Sequence, residues 1–386
     1  MKCRKRRCSF EIKELRKKAP PPISTGPAGP SCIHGGPRAG LKAGRIHCTF
    51  VTSGGQIKYN YRMNISVIIP VYHPDEKLAK AVRLLGEQKA AVDRILLMDT
   101  LEKDGTSILR PYLDAEGIAD SVTAVPVKAE DFDHGGTRAL GAELCPDADF
   151  FLFMTQDAVP ADQNLTENLV QFLCAHKDMA VCGARQLAYE DAREEEKISR
   201  EFNYPEVSGV KTEADIGTLG IKTFFCSNVC AMYRSDVYRK LGGFIRHTVF
   251  NEDMIFAAAA IRQGYSVGYC AQACVYHSHN YTARQQFRRN FDLGVSQTDH
   301  PEVFASVPSE GEGLKYVKTV ARRLLSKGKA GETAGFLVRC AARYLGYRKG
   351  KNYKKAAPDK IRKWTLSPAY WEKDPDFTAR SGRKTG

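Results

Sequence analysis

Two acidic positions in the chain carry the residue types needed for charge-dependent chemistry. The apolar run Phe150-Phe151-Leu152-Phe153 closes on Met154-Thr155-Gln156-Asp157, and Glu252-Asp253 opens a helical pattern further on. One carboxylate can hold a hard divalent cation through oxygen, and another can take a proton from a hydroxyl. In open α/β sheets, ligands bind beyond the carboxyl ends of the strands, so an Asp at a strand end is placed to meet one. Pro160 keeps the following helix from starting at once, which argues that Asp157 faces a ligand rather than capping that helix. For Glu252 and Asp253 the competing reading is simply that acids favour a helix N-terminus.

Other segments add candidates. Pro70-Val71-Tyr72 ends the run that begins at Ile65, where the chain must leave a sheet and the Tyr72 ring becomes available to stack on a base. Asp99, in Leu97-Met98-Asp99-Thr100, can accept hydrogen bonds from a base or ribose. In Asp133-His134-Gly135-Gly136-Thr137-Arg138, paired glycines open a helix and leave backbone N–H groups for phosphate, with Arg138 adding a cation on the first turn. A structural turn with an exposed Arg is the alternative there. His277 and His279 alternate along a strand-like stretch and so point the same way. The pairs Cys226/Cys230 and Cys270/Cys274 are spaced unlike zinc ligands and read as buried strand positions.

These residues need a scaffold that brings them to one edge. From residue 63 onward short apolar runs alternate with helical patterns, as in βα units of a mainly parallel sheet. Strands are expected at Ile65–Val71, Arg94–Met98, Val122–Val127, Phe150–Met154 and Ala180–Gly183, with helices near Lys77–Gln88, Thr106–Leu113, Gly136–Leu144 and Asn164–His176. Ala188–Ile221 is charged and apolar-poor, a surface excursion that serves either as a binding loop or as a solvated helix. A strand-like run, Thr223–Arg234, follows, then a short helix capped by Ser235 and ended by Gly242-Gly243, and a helix from Glu252 to Arg262. Strands at Ser266–Tyr269 and Cys274–His277 precede an amphipathic basic stretch, Thr282–Leu293.

The charge of +14 is unevenly placed. Residues 1–62 carry 14 Lys and Arg against Glu11 and Glu14, residues 315–386 carry 20 against 5 acids, and the stretch between them is net −13. An acidic body with basic ends suits a catalytic domain held near anionic lipid better than a groove for nucleic acid. Twelve cysteines without a disulfide framework point to reduced thiols in a cytosol. No stretch reaches the ~20 apolar residues of a membrane span, so contact with a bilayer is expected to be peripheral, on the inner face of the cell membrane. Residues 1–62 are basic and Pro/Gly-rich and are expected to be disordered, and Met63, directly before a clean strand, is expected to be the functional start. A catalytic domain is expected over 63–300 and a basic helical region over 301–386, either lying on anionic lipid with Trp364, Tyr370 and Trp371 as interfacial anchors or packed as a solvated helix pair on the catalytic domain.

The order of these motifs over residues 64–290 resembles the glycosyltransferase family 2 catalytic domain. Phe132–Arg138, Met154–Ala158 and His277-Ser278-His279-Asn280-Tyr281 further resemble bacterial rhamnosyltransferases of surface polysaccharide synthesis. The resemblance implies a GT-A fold, a Rossmann-like α/β arrangement with a mainly parallel sheet flanked by helices. It also implies an inverting sugar transfer from a nucleotide-diphosphate donor, dTDP-L-rhamnose above other UDP- or GDP-sugars, to a glycan or polyprenyl-linked acceptor, with Mg²⁺ or Mn²⁺ as cofactor. By the same resemblance Pro70, Tyr72 and Asp99 would line the nucleoside, and Gly136, Arg138 and Gln156 would meet the nucleotide. Asp157 would be the last position of the Asp-X-Asp motif, His277 or His279 would complete the metal shell, and Asp253 would be the general base, supported by Glu252. Thr155 departs from the motif's first carboxylate, and Ala139 stands where many relatives have Asn. A GT-A nucleotidyltransferase lacks its Gly-rich, Lys-containing signature after the first strand.

Overall fold

The computed structural model describes residues 46–52, 55–61, 63–305 and 310–382. Strands β1 (Ile46–Thr52) and β2 (Gly55–Tyr61) pair antiparallel, with Ile46 opposite Tyr61 and Thr52 opposite Gly55. They lie in the segment expected from its composition to be disordered, where β-branched and aromatic residues in both halves favour a ladder. The remainder of that expectation, residues 1–45, lies outside the described residues.

The central sheet is built from β3 (Ile65–Val71), β4 (Arg94–Thr100), β5 (Thr123–Val127), β6 (Phe150–Met154), β7 (Val159–Pro160), β8 (Met179–Leu187), β9 (Gly209–Lys211), β10 (Cys230–Arg234) and β11 (Ser266–Tyr276). Their order is β5-β4-β3-β6-β10-β8-β11-β7, with β9 on β11. Strands β5, β4, β3 and β6 run parallel, β10 runs against β6 and β8, and β8 and β11 are parallel. All these parallel strands therefore end on one edge. Their runs, such as Ile65-Ser66-Val67-Ile68-Ile69, are apolar at nearly every position because helices cover both faces.

One face is covered by α1 (Glu76–Gly86), α2 (Leu109–Glu116) and, later in the chain, Leu165–Ala175, which bury Leu78, Leu85, Leu113 and Leu169 against β3, β4 and β6. The opposite face takes α3 (His134–Glu143) and, after α4 (Leu165–Ala175) on the first face, α6 (Glu252–Arg262), while α5 (Glu194–Asn203) packs apart from both through Ile198. Of these, α6 buries Phe256, Ala257 and Ile261 beside Phe153 and Tyr233. Each fully buried aliphatic or aromatic side chain contributes roughly 1.5–3 kcal/mol. Strand β11 is a single element where two were expected, with a bulge between Cys270 and Cys274. The run Thr223–Arg234 becomes a strand only from Cys230, its first residues forming a 3-10 turn.

The chain then continues through α7 (Ala283–Asp299), α8 (Glu310–Ser326) and α9 (Ala330–Lys351) to short helices at Pro358–Trp364, Pro368–Glu372 and Pro375–Gly382. The described residues from 46 onward fall in one compact unit. Helices α7 and α9 cross in near backbone contact: a Cβ at Gly346 would lie 2.1 Å from Phe287 O, and one at Gly350 2.1 Å from Phe291 O. Trp371 is buried with Phe291, Val295, Tyr353, Ile361 and Phe377, with Trp364 and Tyr370 packed against that cluster. Trp371 is therefore a core residue rather than a membrane anchor. Among the described residues no helix is long and apolar enough to cross a membrane.

Candidate active site

Asp157 follows β6, and His277 and His279 follow β11, two strands whose ends meet at the same edge. Asp157 Oδ2 lies 3.2 Å from His279 Nε2 and 3.6 Å from His277 Nε2, and one ligand atom from each of the three falls within 4.8 Å of the others. His277 Nδ1 lies 3.0 Å from Gln186 Oε1, which fixes the ring so that Nε2 faces Asp157. Burial holds His277 well below the ordinary imidazole range and His279 below it. Two neutral imidazoles and one carboxylate are a fitting donor set for a divalent ion that accepts nitrogen as well as oxygen, such as Mn²⁺, more than for Mg²⁺, which prefers oxygen alone. The backbone of Asp157 is itself held, its carbonyl accepting from Tyr189 Oη at 3.0 Å.

A hydrogen-bonded line runs from this cluster to the acidic pair on α6. Gln186 Nε2 donates to Ser227 Oγ at 3.2 Å, the adjacent Asn228 N–H donates to Asp253 Oδ2 at 3.1 Å, and Asn228 Nδ2 donates to Glu252 Oε1 at 3.1 Å. Tyr233 Oη in turn donates to Asn228 Oδ1 at 2.7 Å. Asp253 Oδ1 accepts from Met254 N at 2.8 Å. Residue Asn251, directly before the pair, is buried in the left-handed region at φ 66° and tied through Nδ2 to Ser296 Oγ at 3.1 Å. A non-glycine residue there is uncommon and fixes the direction in which α6 starts.

The two acids differ in proton affinity. Burial, and then the charge of Glu252, push Asp253 up to about 7. Burial alone would raise Glu252 too, but Arg138, His134 and the Asn228 hydrogen bond together hold it below the usual carboxylate range. Arg138 is buried, with Nη1 3.2 Å from Glu252 Oε1 and 3.0 Å from His134 O. Gly135 N and Gly136 N both donate to Asp133 Oδ1 at 2.8 Å. The Gly135 and Gly136 N–H groups are thus capped by Asp133, and Arg138 pairs with Glu252 through Nη1 while its Nε is buried without a partner. Gly135 is required by close packing, since a Cβ there would sit 2.0 Å from Ile245 O, whereas one at Gly136 would meet nothing nearer than 3.4 Å.

Gln156 has a structural task at this edge. Its Oε1 accepts from Tyr72 N at 2.8 Å and its Nε2 donates to Tyr72 O at 3.0 Å, so it ties the end of β3 to the end of β6. Pro70 lies within β3, opposite Met98. Tyr72 is 50% exposed and stacks on His73 at 4.0 Å. Asp99 is buried, raised by that burial and opposed by Ser107 Oγ, which donates to Asp99 Oδ2 at 2.6 Å. Tyr72 and the loop after β4, Thr100–Gly105, line a cleft of about 980 Å³ that continues past Phe132–His134 and His247–Val249.

Two cations escaped the sequence reading. Arg289 on α7 lies over the Phe250 ring at 4.8 Å and the Tyr281 ring at 5.9 Å, and Tyr281 stacks on His279 at 4.6 Å. Arg200 on α5 donates to Gln186 Oε1 at 2.5 Å. Their signal was weak, because each is one Arg among many on an amphipathic helix.

The family model described as Glycosyl transferase family 2 matches residues 66–242. The O-antigen chain rhamnosyltransferase RfbN of Salmonella typhimurium is 38% identical over 310 residues, covering 80% of this chain and 96% of that protein. The chain belongs to glycosyl transferase family 2. A second family 2 relative, the O-antigen chain rhamnosyltransferase WbaN of Salmonella anatum, is 38% identical over 312 residues, with 80% and 96% covered. Among solved structures, mannosyltransferase PcManGT from Pyrobaculum calidifontis, in complex with GDP-Man and Mn²⁺, aligns with TM-score 0.47 and 15% identity, covering 81% of this chain and 89% of that one. Family membership, together with the chain's own mainly parallel, helix-covered sheet, makes the protein a glycosyltransferase of GT-A fold, as its motif order led one to expect.

Proposed function

We propose that the protein transfers L-rhamnose from dTDP-L-rhamnose, with inversion, to a glycan or polyprenyl-linked acceptor during bacterial surface polysaccharide synthesis. The names of the two relatives support the sugar and the setting. The observation that carries the mechanism is the hydrogen-bonded line joining Asp157, His277 and His279 to Asp253. Asp157, His277 and His279 would hold a divalent cation, which when bound supplies positive charge to the diphosphate oxygens.

Asp253 is the general base. The acceptor hydroxyl oxygen attacks the anomeric carbon, its proton passes to the Asp253 carboxylate, and the sugar C–O bond to the diphosphate breaks, releasing nucleoside diphosphate. A single displacement of this kind inverts the anomeric centre. A base near pH 7 combines ionisation with proton affinity, and such catalysis contributes ~10² to 10⁴ in rate. Arg289 adds cationic charge on the side where the leaving diphosphate gains negative charge, while Arg200, paired with Glu196, holds Gln186. Tyr72 and Asp99 belong to the nucleoside end.

The exposed Leu337, Val338, Tyr344 and Leu345 on α9, among the basic residues of the carboxy-terminal region, favour peripheral contact with anionic lipid on the inner face of the cell membrane. The donor reading is tested by incubating the protein and Mn²⁺ with dTDP-L-rhamnose, UDP-sugars and GDP-sugars and following nucleoside diphosphate release with a lipid-linked glycan acceptor. Release from dTDP-L-rhamnose at a rate at least tenfold above the others is expected. Preference for a UDP- or GDP-sugar would replace the sugar assignment.

A further inference from the structure

The wall of the 980 Å³ cleft opposite Tyr72 comes from the far end of the chain, well beyond the family-matched residues 66–242. It consists of Leu366–Tyr370 with Glu372 and Lys373. This segment is anchored rather than merely adjacent. Asp292, 2% exposed on α7, accepts from Thr365 Oγ1 at 2.6 Å and from Leu366 N at 2.7 Å, and Arg288 Nε donates to Thr365 O at 2.9 Å. Further along, Tyr370 stacks on His247 at 4.6 Å and 16°, Trp371 fills the core behind it, and Lys373 Nζ lies 3.7 Å from Asp131 across the cleft.

The order of strands says what this cleft receives. The cleft lies over the ends of β5, β4 and β3, Asp157 follows β6 next in the sheet, and Asn228 and Asp253 lie beyond it beside β10. A donor whose diphosphate sits at Asp157 and whose sugar faces Asp253 can then direct only its nucleoside toward β3 and β4. We infer that Leu366–Tyr370 forms the second wall of the nucleoside pocket, enclosing the base against Tyr72, and that this segment sets which base is accepted. The inference rests on the donor reading above. A rigid preformed wall also lowers the ordering cost of binding a flat ring.

The test uses the full chain with Mn²⁺ and two probes, dTDP and inorganic pyrophosphate, measured by calorimetry. Ala369→Trp, which fills the cleft from this wall, is expected to weaken dTDP at least tenfold and leave pyrophosphate within twofold. In parallel, hydrogen exchange of the unaltered protein is expected to slow across 366–373 with dTDP but not with pyrophosphate. That measurement stands even if the variant folds poorly. Equal dTDP binding by the variant, equal loss of both probes, or no protection of 366–373 would overturn the wall. Failure of the unaltered protein to bind any nucleoside diphosphate would instead overturn the donor reading and the wall with it.

Discussion

Arg138 Nη1 stands 3.2 Å from Glu252 Oε1, both side chains being almost wholly buried beside Asp253. The arginine holds a negative charge next to Asp253, the proposed base, and that charge in turn raises the proton affinity of Asp253. Removing the cation leaves a buried carboxylate unpaired. Arg138→Ala is expected to lower stability by about 3–5 kcal/mol, measured by denaturant unfolding at pH 7.5. A loss below ~1 kcal/mol would mean that Glu252 is solvated in solution.

Asp253 must be ionised to take a proton, so with its affinity near 7 the rate should fall about tenfold per unit below pH 7. Glu252→Gln removes the neighbouring negative charge while burial remains, so the acidic limb should move to lower pH. Asp253→Asn should reduce kcat by ~10² to 10⁴ and leave dTDP binding within twofold. A pH–rate profile and calorimetry on the three proteins check this. An acidic limb unmoved in Glu252→Gln would break the electrostatic link.

For the cation, Asp157→Ala, His277→Ala and His279→Ala should each weaken Mn²⁺ binding. Gln186→Leu, which frees His277 Nδ1 without touching a ligand, should weaken it roughly 10- to 100-fold. Chelator treatment should abolish transfer, with Mn²⁺ restoring it better than Mg²⁺. Electron paramagnetic resonance titration of Mn²⁺ gives the constants directly. Unaltered Mn²⁺ affinity in the double variant His277→Ala/His279→Ala would remove the histidines from the site.

Asp292 gives a stability prediction with a definite sign. Burial pushes it up to about 7 from an ordinary 3.8, against the opposing hydrogen bonds of Thr365 and Leu366. The folded chain therefore keeps a proton that the unfolded chain releases. This contribution is full below pH 3.8 and fades as pH rises toward 7. Unfolding at pH 5 and pH 7 should show the unaltered protein losing more stability over that interval than Asp292→Asn. Parallel losses would place the Asp292 affinity in the normal range.

The parallel strands were readable because each is a short, doubly covered apolar run: Ile65–Val71 and Phe150–Met154 fall where their sequences put them, as does the helix Glu252–Arg262. Asp157, His277 and His279 also came together, since they follow strands that end on one edge. What could not be read was pairing across distance. Nothing local reveals that Arg138, read as a ligand contact, also pairs with Glu252, or that Gln156 also ties the Tyr72 backbone. The charged stretch after Ala188 read either as a binding loop or as a solvated helix. In fact Glu194, Glu195 and Glu201 on α5 meet Lys327, Arg339 and Arg323 of α8, its following turn and α9. The carboxy-terminal aromatics misled for the same reason, their core being supplied by Phe291 and Val295 of a helix some eighty residues earlier.

That fastening of α5 has a reach beyond its own surface. Arg200, on the same helix, grips Gln186, which orients His277. Ionic strength high enough to loosen the outer glutamate–lysine contacts would let α5 drift and carry His277 with it. Brine would then loosen the proposed cation site formed by Asp157, His277 and His279 from a place where no salt ion need ever enter.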